Sequence, residues 1–290
     1  MNSGFVLALG GGGGRGLAHL GVLEALEEHD LRPAAIVGTS IGALFGTMYA
    51  LSPDIEEVRN RVKGFLASES FSHMGLPYMA EANTTDHTWL GKLTAAARET
   101  VLYTRAATKA AVADTAALTN NVAQLCANGT FDDLRIPVYV TAVQFPSGEI
   151  EIFSKGDLIT AISASMAIPG VFDPVDVDGQ SFVDGGLACE LPAKEAKMVA
   201  KAGQFVLAID VGSRPRADYR PSTVIGMLDW SVQIKSLYLR QYKGEYADVL
   251  VHAVPGFRQW SDFSHPDEEI ERGHQAMLEH IPTVMKLMGD

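Results

Sequence analysis

Two glycine-anchored turns near the start of the chain, Gly11 to Gly16 and Gly38 to Gly42, constrain its fold more than any other feature. Each follows a short apolar run and opens an apolar helix. Phe5 to Leu9 reads as a first strand, and Leu17 to Glu28 as a helix with Leu20, Leu23 and Leu26 at helical spacing. Ala34 to Val37 reads as a second strand, and Ser40 opens a helix over Ile41 to Leu51. Strands that are apolar throughout, without polar alternation, are buried on both faces. Strand, turn and helix repeated in series therefore predict an α/β fold, a parallel sheet covered by helices on both faces.

The same alternation continues along the chain. Asp54 to Leu66 reads as a helix behind Pro53, and the periodicity then weakens from Ala67 to Thr115, where an insertion or lid, helical in its Ala-rich second half, is expected. Ala116 to Ala127 is a helix, and Val138 to Val143 and Glu149 to Phe153 form a hairpin around the turn Pro146 to Gly148. A helix over Asp157 to Met166 precedes a short strand, Ser181 to Val183, that ends at Asp184-Gly185-Gly186. Phe205 to Asp210 and Val249 to Val254 are buried strands separated by a long amphipathic segment, Ser222 to Tyr242, and the tail from Asp267 to Leu287 is helical. Without repeats or a low-complexity linker, residues 1–290 are expected to form one domain.

Composition narrows the function classes. Apolar residues make up 47% and charged residues 20%, which opposes extended disorder. Lys and Arg number 23 against 35 Asp and Glu, and the net charge of −12 opposes long-range attraction to nucleic acid or to an anionic bilayer. Lipid contact needs a local apolar patch instead. Phe71, Met74, Leu76, Tyr78, Met79 and Trp89 are close enough in sequence to form one, or to cover the core. Cys126 and Cys189 lack ligand-like spacing, so neither a disulfide framework nor a metal site is expected. The first residues lack a basic region and run straight into the glycine turn, so the expected location is cytoplasmic.

A glycine run between strand and helix has two chemical uses. Gly11, Gly13 and Gly16 satisfy G-x-G-x-x-G, the dinucleotide fingerprint, but that reading needs an acidic residue at the end of the second strand. Gly38-Thr39-Ser40 stands there instead, and no Lys-Ser or Lys-Thr follows the glycines as a P-loop requires. The other use is an oxyanion loop, with Gly11, Gly12, Gly13, Gly14, Arg15 and Gly16 as its residues and the N–H groups around Gly12 and Gly13 as donors. Arg15 either adds positive potential there or fixes the loop in an ion pair. Gly38-Thr39-Ser40-Ile41-Gly42 fits a nucleophile elbow, whose Gly38 and Gly42 allow a tight path and close packing around Ser40. A serine needs a base. Asp184 is the candidate, because Gly185 and Gly186 let the backbone turn sharply behind it. A Ser-acid-His order is also available through Asp184 or Asp210 and then His252, His265 or His274, whereas His19 reads as a packed or hydrogen-bonded helix residue. A non-catalytic regulator that binds lipid or protein is a third reading, to which Arg214, Arg216 and Arg220 would lend a basic cluster.

With these motifs in this order, the chain resembles the patatin-like phospholipase family. The family's G-G-G-x-R-G loop, G-x-S-x-G elbow and D-G-G segment stand here as Gly11 to Gly16, Gly38 to Gly42 and Asp184 to Gly186, and Leu17 to Leu23, Phe131 to Pro137 and Ala164 to Phe172 also match its pattern. The resemblance covers residues 4 to 210. It implies a three-layer α/β/α sandwich with a mainly parallel central sheet, and a Ser40–Asp184 dyad without a catalytic histidine. It further implies hydrolysis of fatty acyl esters of (lyso)phospholipids or related lipids without a cofactor, and peripheral contact with the inner membrane face. Two departures, Thr141-Ala142-Val143-Gln144 and Cys189-Glu190-Leu191-Pro192, bear on substrate range more than on the dyad.

Overall fold

The computed structural model describes residues 4–73, 113–254, 256–257 and 259–289, except for the side chains of Ser72, His73 and Ile225. In chain order its elements are β1 (Phe5–Leu9), α1 (Ala18–Glu28), β2 (Ala35–Thr39), α2 (Ile41–Leu51), α3 (Ile55–Leu66), α4 (Glu69–His73), α5 (Thr115–Leu125), β3 (Val138–Phe145), β4 (Ile150–Phe153) and α6 (Leu158–Met166). They continue with β5 (Val175–Val177), β6 (Gln180–Asp184), the single turn α7 (Gly186–Cys189), α8 (Ala193–Val199), β7 (Phe205–Asp210), α9 (Val224–Gly244), β8 (Val249–His252), α10 (Pro266–Leu278) and α11 (Ile281–Met288).

Strands β3, β2, β1, β7 and β8 are neighbours in that order and mutually parallel. The expected hairpin forms, with β4 antiparallel to β3, and β6 and β5 extend the sheet antiparallel. The central sheet is thus mixed but mostly parallel, with helices on both faces. Because side chains alternate along a strand, each central strand feeds two cores. Phe5, Leu7 and Leu9 of β1 and Phe205, Leu207 and Ile209 of β7 join the larger one, with α1, α2, α3, α5, α6 and α10. Val6, Ala8, Val206 and Ala208 face a smaller core closed by Leu191 and by Ala193 and Ala196 of α8. Small residues on that side let α8 lie close to the sheet.

The pairing register on β3 creates the feature that matters for function. Thr141 pairs with Thr39 of β2 and Ile152 of β4, and the next residue, Ala142, pairs with Asp184 of β6 and Glu151 of β4. Strand β4 therefore occupies one edge of β3 across both positions, while β2 and β6 follow one another along the other edge. They run in opposite directions, so their C-terminal ends meet.

Some expectations change. The tail is two helices, because Pro282, which lacks an N–H, lies at the start of α11 and cannot continue the hydrogen-bond ladder of α10. Strand β5 and helices α7 and α8 were not expected; they are short elements whose periodicity barely completes one cycle. Phe71 is core: it is buried, with its ring 5.7 Å from Phe65 and 5.2 Å from Phe263. Met74, Leu76, Tyr78, Met79 and Trp89, and most of the expected insertion at 67–115, lie outside the described residues. Among the described residues, no helix is long and apolar enough to cross a membrane.

Helices α1 and α10 approach so closely that glycine is required on both. A Cβ on Gly21 would collide with the Ile270 carbonyl, and one on Gly273 with the Ala18 carbonyl. Gly64 in α3, by contrast, has nothing within 4 Å of the space a Cβ would take. Gly21→Ala is expected to cost about 2–3 kcal/mol by forcing the helices apart. Gly64→Ala is expected to add about 0.5–1 kcal/mol by removing backbone freedom from the unfolded chain, with urea denaturation as the measurement for both.

Candidate active site

Ser40 lies at the end of β2, where the chain turns sharply into α2. Its backbone sits at φ 54° and ψ −123°, a conformation that costs a non-glycine residue about 1–3 kcal/mol and persists only where the surroundings enforce it. The enforcement is visible. A Cβ on Gly38 would lie 2.5 Å from the Ala43 Cα, and one on Gly42 would collide with the Leu9 carbonyl, so β2, α2 and β1 close around the turn only with glycine at both positions. The Ser40 N–H donates to the Ser165 hydroxyl at 2.8 Å, which ties the turn to α6.

Asp184 ends β6 directly opposite. The Ser40 hydroxyl donates to its Oδ2 at 2.7 Å, and its Oδ1 accepts the Gly186 N–H at 2.6 Å. Gly185 passes so close to β3 that a Cβ would lie 2.5 Å from the Thr141 carbonyl oxygen. Ser40 and Asp184 are 7% and 6% exposed. Burial raises the Asp184 carboxyl to about 7, against the opposing effect of the Gly186 N–H and the Ser40 hydroxyl. A carboxyl poised there can exchange a proton with the serine hydroxyl near neutral pH.

The glycine loop runs beside this pair, with a Cβ on Gly11 reaching 3.4 Å from that of Ser40. Its N–H groups divide into two sets. Gly10 donates to the Ile209 carbonyl, Gly11 to the Glu190 carbonyl at 2.8 Å and Gly14 to the Trp260 carbonyl at 2.7 Å. Gly12 and Gly13 have no such acceptor among the described residues. Gly13 has φ 57°, and a side chain there would collide with the Trp260 carbonyl, while one at Gly14 would strike that of Asp262. Gly16 is held tight in the same way by Ile41. Arg15 turns away from the free N–H groups: its Nε donates to the Gly12 carbonyl at 3.0 Å and its guanidinium lies 3.9 Å from Glu190. Of the two roles open to Arg15, the geometry favours fixing the loop.

The four histidines weighed as alternatives are engaged elsewhere. Nε2 of His19 donates to the Gly10 carbonyl at 2.7 Å, and burial draws its pKa down to about 4, so it supports the loop as a neutral ring. His252 pairs with Asp210 at 3.2 Å, His274 with Glu28 at 2.9 Å, and His265 faces Glu268 at 3.9 Å. Among the described residues none is hydrogen-bonded to Ser40 or Asp184.

Glu190, where the sequence departed from the family pattern, is a hub that sequence reasoning missed. Its carbonyl holds Gly11, and its carboxylate accepts from Ser236 and, at 3.0 Å, from Arg240 of α9. Arg240 also lies 3.1 Å from Asp210. Ser165 and Glu190 carry no local signature, because their partners are 125 and about 50 residues away.

Residues 7–197 match the family model of patatin-like phospholipases. Among curated proteins, the chain is 33% identical over 282 residues to the lysophospholipase NTE1 of Saccharomyces cerevisiae, covering 97% of this chain and 14% of that protein. It is 30% identical over 210 residues to the lysophospholipase NTE1 of Mycosarcoma maydis, covering 71% of this chain and 10% of that protein. The chain thus spans only a small part of the length of these relatives. Among solved structures, VipD from Legionella pneumophila superposes with a TM-score of 0.49 at 13% identity, over 97% of this chain and 67% of that one.

The raised carboxyl has a consequence for stability. With a folded pKa near 7 and an ordinary value of 3.8, the native state keeps a proton that the unfolded chain releases between those values. The group's contribution to stability is therefore fully present below pH 4 and is lost as pH rises to about 7. Asp184→Asn is expected to match wild-type stability at pH 4 and to exceed it at pH 8, by an upper bound of about 4 kcal/mol. Calorimetry across that range would refute the burial argument if the gap were independent of pH.

Proposed function

Because the chain belongs to the patatin-like phospholipase family, a family of lipid ester hydrolases, we propose that it hydrolyses fatty acyl esters of lysophospholipids or related lipids. Ser40 is the nucleophile, Asp184 the general base and the glycine loop the oxyanion site in this reading. The observation that carries it is the 2.7 Å hydrogen bond from the Ser40 hydroxyl to a buried carboxylate, beside a loop whose Gly12 and Gly13 N–H groups have no backbone acceptor among the described residues. The lysophospholipase relatives motivate the choice of substrate class.

The chemistry runs in two halves. Ser40 Oγ attacks the ester carbonyl carbon as its proton passes to Asp184, and the carbonyl oxygen takes the negative charge. The N–H groups of Gly12 and Gly13 bind that oxygen; losing one such donor typically costs about 3 kcal/mol in the barrier. Asp184 then returns the proton to the departing alcohol oxygen as the ester bond breaks, leaving an acyl-serine. Water attacks the acyl carbon, gives its proton to Asp184, and the fatty acid leaves as Ser40 recovers its hydrogen. A base with a pKa near 7 suits both halves, since it accepts and returns a proton with little driving force lost either way.

Ser40→Ala and Asp184→Asn are each expected to lower kcat by about 10³-fold or more with the fold intact, and the double variant to be little worse, because the two act as a unit. Only forms with intact Ser40 should label with a fluorophosphonate, and a regulator without an activated serine would not label at all. Replacement of His252, His265 or His274 should leave most activity; a loss comparable to Asp184→Asn with folding preserved would instead assign a Ser-His-acid mechanism.

In wild type, kcat/KM should rise with pH and reach half its plateau near the Asp184 value of about 7, because the base works only when ionised. A plateau extending down to pH 5 would remove Asp184 as the base.

A further inference from the structure

Helix α9 is amphipathic in the inverted sense. Its polar residues Ser236, Arg240 and Lys243 face the protein, where Arg240 and Ser236 meet Glu190 and Lys243 pairs with Glu195. Its apolar residues face outward: Val224, Met227, Leu228, Val232, Tyr238 and Tyr242 are each 50–77% exposed. At the helical period these six fall within an arc of about 140°, as wide as the stripe by which a surface helix ordinarily meets its core. The stripe runs along most of a 21-residue helix, about 30 Å.

One flank of α9 carries a groove of about 550 Å³, floored by Met227, Trp230, Ile234 and Leu237 and bordered by Arg214, Arg216 and Arg220. Exposed basic side chains outnumber acidic ones on this face. Arg214, Arg216, Arg220 and Lys235 stand against Asp218, which pairs with Arg216, Asp229, which accepts from Gln233, and Glu245 at the end of the helix. In a chain of net charge −12, that is a local reversal of sign. An apolar stripe with aromatic residues and arginines at its margin is the composition of a helix lying in a bilayer interface.

We propose that α9 and the preceding arginine loop dock the protein on an anionic phospholipid surface, with the apolar stripe in the headgroup–acyl boundary and Arg214 and Arg220 on lipid phosphates. The choice of lipid rests on the lipid-hydrolase reading, whereas the apolar stripe and the charge reversal do not. Charge favours this occupant over a second copy meeting it through the same face, because such a contact would set arginines against arginines whereas an anionic lipid surface complements them. The inner face of the same helix grips Glu190, whose carbonyl holds Gly11, so docking sets the candidate active site beside the lipid.

The test is co-sedimentation of the full chain with phosphatidylcholine vesicles, with and without about one-third phosphatidylglycerol, alongside hydrolysis of a short soluble ester and light scattering. Wild type and Ser40→Ala should bind the anionic vesicles equally and prefer them to phosphatidylcholine. Arg214→Gln with Arg220→Gln should weaken binding by about thirtyfold, and Met227→Ser with Leu228→Ser by about tenfold or more, with short-ester turnover and melting temperature unchanged. No vesicle binding by wild type, or equal binding by both double variants, would overturn the proposal. So would conversion of a dimer to a monomer by the apolar pair with vesicle binding intact, which would give the stripe to a second copy. Wild type that binds vesicles through these residues yet cleaves no ester would leave docking standing and remove the hydrolase reading.

Discussion

Two strands running in opposite directions end at neighbouring positions on the same edge of β3, and the geometry of the site depends on that meeting. Thr39 and Asp184 pair with consecutive residues of β3, Thr141 and Ala142, so the residue after one strand faces the last residue of the other. The junction is locked by hydrogen bonds: the Thr39 hydroxyl lies 2.7 Å from that of Thr141 and donates to the Cys189 carbonyl at 2.8 Å. Without side-chain atoms at Gly38, Gly42 and Gly185, the strands, α2 and the turn after Asp184 could not approach this closely. A 2.7 Å contact between two side chains 144 residues apart thus follows from register and glycine spacing.

The junction holds two costly features together, a serine at positive φ and a buried carboxyl raised to about 7. Each is a few kcal/mol of local destabilisation, a substantial part of what a domain has to spare. Both are surrounded by the most completely buried parts of the protein, β1, β2 and β7, whose side chains fill both cores. Rigid strands beneath the strained turn are what keep it from relaxing.

A second group of contacts fixes the glycine loop from outside. Glu190 links Gly11 to Arg240, Arg240 reaches Asp210, and the backbone of Trp260 receives the Gly14 N–H. Removing one partner from a buried ion network of this kind typically costs about 3–5 kcal/mol, because the remaining charge stays buried. This network also accounts for the inverted face of α9. Its inner side supplies charges to Glu190 and Glu195, so its apolar residues are left outside, next to the basic loop that carries Arg214, Arg216 and Arg220.

The central strands, the two turns and the hairpin were legible in the sequence because each is set by local period or by glycine: β1, α2 and β7 have the bounds expected from their apolar runs. The motifs that carry Ser40, Asp184 and the glycine loop stood out for the same reason, as each is contiguous, and the fold brings the three together. Which N–H groups of the loop remain unspent was only partly legible, since the acceptors of Gly11 and Gly14 come from residues 190 and 260. The antiparallel placement of β6, the neutral support from His19, the hub at Glu190, the contact from Ser165 and the outward apolar face of α9 were decided by tertiary structure alone. A sequence determines a local period and a turn; which face of an element meets the rest of the chain depends on partners far away in sequence, and those partners exist only once the chain has folded.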